Sequence, residues 1–431
     1  MSKTVIVGGG IIGLSTAYYL SQSPGAPSDQ IHIVEASPRF FASASGFAAG
    51  FLARDWFSPA TAALGALSFD LHKELAENFN GRERWGYSPS TSGSLNLSGV
   101  AGGPRGEDWL RDGTSRAEAA NAAQQFFKEG EGPSWLTHPK GTDLELLSGG
   151  ESTAQVDPLK LCQFLLEQCK VRNVQIHQPA EAISISQDLR GEISSVRIAE
   201  GESETDIPCT HVVFTAGAWT PTAFSRVFPQ AGIKIPVTPL AGHSLVVKSP
   251  RWTEEHEIRG CHAVFTADPR GFSPEIFSRL GGEIYLAGVN SSTIPLPEKA
   301  TESEPQRESM QQLEHTAKQL LGIASDKSTA EGEGAGATVG GQLSGSLSDL
   351  ELVREGLCFR PVTPSGKPIL TRIQDDKLGY GISTRGGGEG GVFVSAGHGP
   401  WGISMSLGTG KVLAEMVQGL QTSADVSALG I

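Results

Sequence analysis

Thr4-Val5-Ile6-Val7-Gly8-Gly9-Gly10-Ile11-Ile12-Gly13, followed after one helix by Ile31-His32-Ile33-Val34-Glu35, is the stretch that decides the fold. Four apolar residues run straight into a G-x-G-x-x-G loop. The apolar positions Ile11, Ile12, Leu14, Ala17, Tyr18 and Leu20 then predict a helix over 11–22. A second short apolar run predicts a strand ending on Glu35, some 22 positions beyond Gly13. In such a βαβ unit the first glycine permits the tight turn. The second lets a pyrophosphate approach the backbone, and the third lets helix and strand pack closely. The helix N-terminus offers free N–H groups and the positive end of its dipole to the phosphates. Glu35 is placed to accept hydrogen bonds from a ribose. Gly8, Gly10, Ile11, Ile12, Gly13, Glu35 and Ala36 are therefore candidate dinucleotide-binding residues. The fingerprint does not separate one dinucleotide from another.

A chain of 431 residues with 38% hydrophobic content is long enough for two domains and a large core. Its net charge of −13, with no basic cluster, argues against nucleic acid or an anionic lipid surface as partner. Five scattered cysteines with no C-x-x-C pair point to reduced thiols in a cytoplasmic compartment and to no metal site. Met1-Ser2-Lys3 leads directly into the first strand, which reads as the absence of a secretory leader, and no apolar run is long enough to predict a membrane span. The oligomeric state is not legible.

Further along, helices are expected over 60–78, near 117–128, from the Asp157-Pro158 cap to about Cys169, and over 302–321. Residues 174–185 read as a strand. Residues 233–247 and 263–288 read as a mainly β second unit. Residues 324–348 read as a loop rich in glycine and serine. Nucleotide-binding segments fall at the start, middle and end of the chain. The expected organisation is an α/β Rossmann-like dinucleotide-binding domain of glutathione-reductase type over 1–84, 150–225 and 352–425. A mainly antiparallel-sheet substrate domain would occupy 85–149 and 226–351.

Four segments carry a family resemblance. Thr210-His211-Val212-Val213-Phe214-Thr215-Ala216-Gly217-Ala218-Trp219 is a strand ending in A-G-A-W. Ala42-Ser43-Ala44-Ser45-Gly46-Phe47-Ala48-Ala49-Gly50 is a loop of small residues. Gly356-Leu357-Cys358-Phe359-Arg360-Pro361-Val362-Thr363 and Gly397-His398-Gly399-Pro400-Trp401-Gly402-Ile403 complete the set. Together they resemble the superfamily of D-amino-acid oxidase, glycine oxidase and sarcosine oxidase, over nearly the whole chain. The resemblance implies FAD as cofactor, with Ser43, Ser45, Gly46, Ala216, Gly217, Trp219, Gly397, His398, Gly399, Gly402 and Ile403 near it. It implies oxidation of a small amine or amino acid, with molecular oxygen as acceptor and hydrogen peroxide as product. The C-terminal Ala428-Leu429-Gly430-Ile431 is not a peroxisomal address of the S-K-L type.

Arg360 matches the family arginine that holds the substrate carboxylate; an arginine in a structural ion pair is the other reading. Cys358 falls in register with the cysteine that sarcosine-oxidase-like relatives attach to the flavin, and a small buried thiol is the alternative. His398 reads as an anchor beside the flavin rather than a proton donor. Trp401 either walls the substrate pocket or is ordinarily packed. The candidate catalytic residues are thus Arg360, Trp401 and His398. A dehydrogenase using another electron acceptor, or a flavin-binding scaffold without turnover, are the rival functions. Arg360 beside the flavin segments favours catalysis.

Overall fold

A computed structural model describes residues 3–23, 30–96, 120, 125–128, 131–137, 144–267, 273–322 and 349–431. Thr4–Val7 lies at the middle of a six-stranded sheet, between Ile31–Val34 and His211–Phe214, both parallel to it. Gln175–His177 extends the sheet beyond Ile31–Val34, and Gly391–Ala396 and Ile369–Ile373 extend it on the other side. Only Ile369–Ile373 runs antiparallel to its neighbour. Alternate residues of the central strand enter two different cores. Ile6 packs under the helices, and Val5 and Val7 pack on the opposite face with Phe214, Phe224 and Phe228.

Helix Ile11–Leu20 is apolar nearly all round because it is buried on nearly every side, by the sheet, by Pro158–Val171 and by Ser406–Val417. Its crossing with Ser406–Val417 depends on a missing side chain. A Cβ at Gly410 would stand 2.4 Å from the Cβ of Ser15.

The second layer is a ten-stranded sheet whose main path begins Glu351–Val362, Thr238–Lys248, Glu283–Ser291, Glu275–Ser278 and Cys261–Ala267. Helix Arg307–Leu321 covers one face, with Met310, Leu313, Ala317 and Leu320 buried against Leu245 and Ile284. The other face turns Tyr285, Phe277 and Phe265 toward Phe51 and Trp56. Glu351–Val362 belongs to this sheet, and the chain rejoins the six-stranded sheet at Ile369. The α/β Rossmann-like part and the mainly antiparallel sheet, with Cys261–Ala267 parallel to Ser88–Asn96, are the fold class expected from the sequence.

Three local expectations differ from the structure. The strand expected over 174–185 is two strands, Gln175–His177 and Glu181–Gln187, because Pro179 interrupts the ladder between them. The last part of the helix expected near 117–128 is a strand, Gln125–Phe126, paired with Leu144–Ser148; residues 117–119 and 121–124 lie outside the described ones. The helix expected over 302–321 starts at Arg307, since Pro305 precedes it. The loop expected at 324–348 also lies outside the described residues.

All five cysteines are buried free thiols. No helix among the described residues is long and apolar enough to cross a membrane.

Gly410→Ala is expected to cost about 1–3 kcal/mol of stability through overpacking of the helix crossing. Urea unfolding of variant and parent checks this; an unchanged midpoint contradicts it.

Candidate active site

The cofactor end of the site is built by the glycine turn. Gly8 adopts φ +112°, and a Cβ there would come within 2.6 Å of the Ala216 backbone. A Cβ at Gly13 would stand 2.1 Å from the Gly8 carbonyl oxygen. The loop is therefore pressed between helix and strand with no room for side chains. Glu35 ties it down: one carboxylate oxygen accepts the Gly9 N–H at 2.8 Å, and the other accepts the Ser37 N–H at 2.8 Å. Burial raises the Glu35 pKa, and these two N–H groups pull it back. Each oxygen keeps a lone pair for a hydroxyl group.

A cavity of about 630 Å³ runs from this turn to the face of the ten-stranded sheet. Gly8, Gly10, Ile11, Ile12, Glu35, Ala36, Ser43, Ser45, Ala216, Gly217 and Trp219 line it near the βαβ unit and the loop beyond it; Cys358, Arg360, His398, Gly399, Gly402 and Ile403 line it elsewhere. One cavity thus joins residues from all four sequence segments. Ser45 Oγ accepts the Ile11 N–H at 3.0 Å, and Ser43 Oγ accepts the Phe359 N–H at 3.1 Å. A hydroxyl that accepts in this way can donate its own proton into the cavity.

Four expected residues stand behind the lining. Gly13 and Gly46 are close-packing positions; a Cβ at Gly46 would meet the Phe41 carbonyl at 2.2 Å. Gly397, at φ +80°, packs on Thr363. Trp401 packs edge-on against Phe57, ring centroids 4.9 Å apart.

At the sheet end, Arg360 Nη1 donates to Asn290 Oδ1 at 2.6 Å. Its guanidinium lies across Gly242, where a Cβ would stand 1.8 Å from Nη1. Cys358 shares this face of the strand. Burial pushes its thiol up, while Arg360 and Arg354 pull it down. Tyr285 lines the same wall and donates its hydroxyl proton to the Phe47 carbonyl at 3.0 Å. His398 is fully enclosed, 3.2 Å from Thr409 Oγ1, and burial pushes it down to about 4. It is a neutral imidazole near neutral pH, which suits packing and hydrogen bonding rather than charge.

Sequence reading missed Ala180, Ala182, Asn290, Tyr285 and Ser395, all on the lining. Ser395 carried a signal, since it lies two residues before Gly397 in a segment already singled out. The others reach the cavity through strand register and carry no local motif.

The residues fit a long, polar-headed cofactor. Ser395 Oγ is buried in the wall without a hydrogen-bond partner among the described residues. Gly8 and Gly10 of the turn line the same cavity, and a Cβ at Gly10 would crowd Ser45 Oγ at 3.1 Å. Both features suit FAD, which Gly8, Gly10, Ser45 and Glu35 would hold at one end.

The comparisons agree. The model of the DAO family, described as FAD dependent oxidoreductase, matches residues 3–416, and the chain belongs to that family. Its members are FAD-dependent, and this chain is a FAD-dependent oxidoreductase. A protein of Schizosaccharomyces pombe, named as an oxidoreductase of no stated substrate, is 27% identical over 99% of this chain and 96% of its own length. Glycine oxidase from Geobacillus kaustophilus superposes with a TM-score of 0.68 at 20% identity, covering 100% of this chain and 98% of that one. Iminodiacetate oxidase from Chelativorans sp. BNC1 superposes with a TM-score of 0.69 at 16% identity, covering 99% and 98%. These structural likenesses define the shared fold.

His72, His211, His262 and His398 are each pushed down to about 4 by burial. In the unfolded chain an imidazole titrates near about 6.5, so protonation favours unfolding. Their stability contribution is complete above that value and is lost as pH falls toward 4. The urea midpoint is expected to drop from about pH 7 to about pH 5, and less steeply in His398→Asn. A flat profile contradicts the assignment of buried neutral imidazoles.

Proposed function

We propose that the protein oxidises a carboxylated amine, an amino acid or an N-substituted amino acid, using FAD. The observation that carries this reading is Arg360. Its guanidinium stands on the cavity wall opposite the Glu35 end, fixed by Asn290 and by the space over Gly242. Among the described residues it has no carboxylate partner, so its charge is available to a ligand. A guanidinium fork suits a carboxylate, because two parallel N–H donors both bind it and fix its plane. Such a contact would orient the substrate α-carbon and keep it in one pose.

The chemistry FAD would supply when bound there is two-electron oxidation of the amine to an imine, which water hydrolyses, with dioxygen as final acceptor and hydrogen peroxide as product. The chain's own part is positional. Arg360 holds the carboxylate, neutral His398 and Thr409 brace the Gly397–Gly402 turn, and Tyr285 and Ala287 form an apolar floor. The similarity to glycine and iminodiacetate oxidases supports a carboxylated substrate of this kind.

Replacing Arg360 with alanine is expected to remove about 1.5–3 kcal/mol of charge-assisted hydrogen bonding. The corresponding loss in kcat/KM is roughly ten- to a hundredfold. Decarboxylated amines should be poor substrates of the parent and lose little more in the variant. Oxidation of carboxylated amines at the parent rate by Arg360→Ala would make Arg360 a structural residue. Peroxide yield per imine formed separates an oxidase from a dehydrogenase.

Cys358 would hold the flavin through a thioether, its S–H and a C–H of the flavin 8α-methyl giving up two protons and two electrons that pass to dioxygen as hydrogen peroxide. Its place on the cavity wall and its register with the tethering cysteine support this reading. Acid precipitation is expected to leave a yellow pellet, turning white in Cys358→Ala. A white pellet with yellow supernatant from the parent protein rejects the tether.

A further inference from the structure

Behind the loop that walls the cavity lies a buried cation that the proposed chemistry does not use. Arg279, just past the strand Glu275–Ser278, is 3% exposed. Its Nη2 donates to the carbonyls of Ala48 at 2.6 Å and Ala49 at 2.8 Å, and its Nε donates to Ala49 at 3.2 Å. Its guanidinium lies 4.9 Å over the Tyr285 ring. Among the described residues it makes no ion pair. Asp157 favours the cation from a distance, but that carboxylate is committed to the N–H groups of Leu159 and Lys160 and to the Lys160 ammonium. Arg354 opposes the cation.

A buried cation with only backbone partners is expensive, and a well-packed apolar residue would often be more stable in its place. Its partners show what it does. Three successive carbonyls are taken by side chains: Phe47 by Tyr285, Ala48 by Arg279, and Ala49 by Arg279 and by Gln155 at 2.6 Å. Ala48 and Ala49 line the cavity, while Arg279 and Gln155 stand behind them. A trans peptide is planar with its C=O and N–H antiparallel. Carbonyls drawn back toward Arg279 therefore turn the N–H groups of Ala49 and Gly50 toward the cavity side.

We propose that Arg279 is a positioning residue for the flavin. It locks the 48–49 and 49–50 peptides with the Ala49 and Gly50 N–H groups facing the cofactor and keeps a fixed positive charge behind them. A flavin gains negative charge on reduction, so this arrangement binds the reduced form more strongly and raises the midpoint potential. The inference rests on the FAD-dependence of the family and not on the identity of the substrate.

Arg279→Met and Arg279→Lys test it in a Cys358→Ala background, where FAD release is read free of any thioether. The readouts are the FAD dissociation rate by flavin fluorescence and the midpoint potential against a reference dye, with near-UV circular dichroism as the check on folding. Arg279→Met is expected to release FAD at least tenfold faster and to shift the potential negative. Arg279→Lys keeps the charge and loses the fork, so it should restore the potential and still release FAD faster. An unchanged potential in folded Arg279→Met, or an unchanged release rate in either variant, overturns the proposal. Should Arg279→Met fail to fold, Arg279→Lys alone decides: faster release at the parent potential supports the proposal, and parent release overturns it.

Discussion

Backbone meets backbone at Gly8, where the first strand turns within van der Waals distance of Ala216 and a side chain would collide with it. Everything at the cofactor end follows from that approach. It aligns Thr4–Val7 with His211–Phe214 in parallel register and starts helix Ile11–Leu20 at the mouth of the cavity. It also sets the loop where the Glu35 carboxylate can hold the Gly9 N–H. The carboxylate is thereby fixed by two backbone donors before any ribose arrives, which lowers the ordering needed on binding.

The sheet end repeats the device with a different payload. Gly242 on Thr238–Lys248 leaves the gap in which the Arg360 guanidinium lies, and Asn290 from the neighbouring strand holds it. A neutral amide as the fixed partner orients the guanidinium without cancelling its charge. The carbonyls of Ala48 and Ala49 are clamped from behind, and His398 is kept neutral by burial. The Arg360 guanidinium thus places positive charge where a carboxylate would lie, with Glu275 also on the lining.

The sequence made the cofactor end legible because its parts are contiguous. Strand, glycine turn, helix and acid fall within 35 positions, and each glycine has a local steric reason. Arg360 and Cys358 were singled out by the family resemblance of one contiguous segment, and both line the cavity. Asn290, Tyr285, Gly242 and Arg279 were not, since their roles come from antiparallel register between strands distant in sequence. Trp401 was left between a pocket wall and ordinary packing, and its ring packs edge-on against Phe57. The break at Pro179 was visible in the sequence, but the surrounding apolar alternation masked it.

The most direct test of the account is an anaerobic one. FAD-loaded protein is mixed with α-amino and N-methyl-amino acids and with their decarboxylated counterparts, and the flavin absorption band is followed. The account predicts bleaching by at least one carboxylated amine and little by its decarboxylated counterpart. Protein that takes up no FAD, or a flavin reduced equally well by amines with and without the carboxylate, would contradict it.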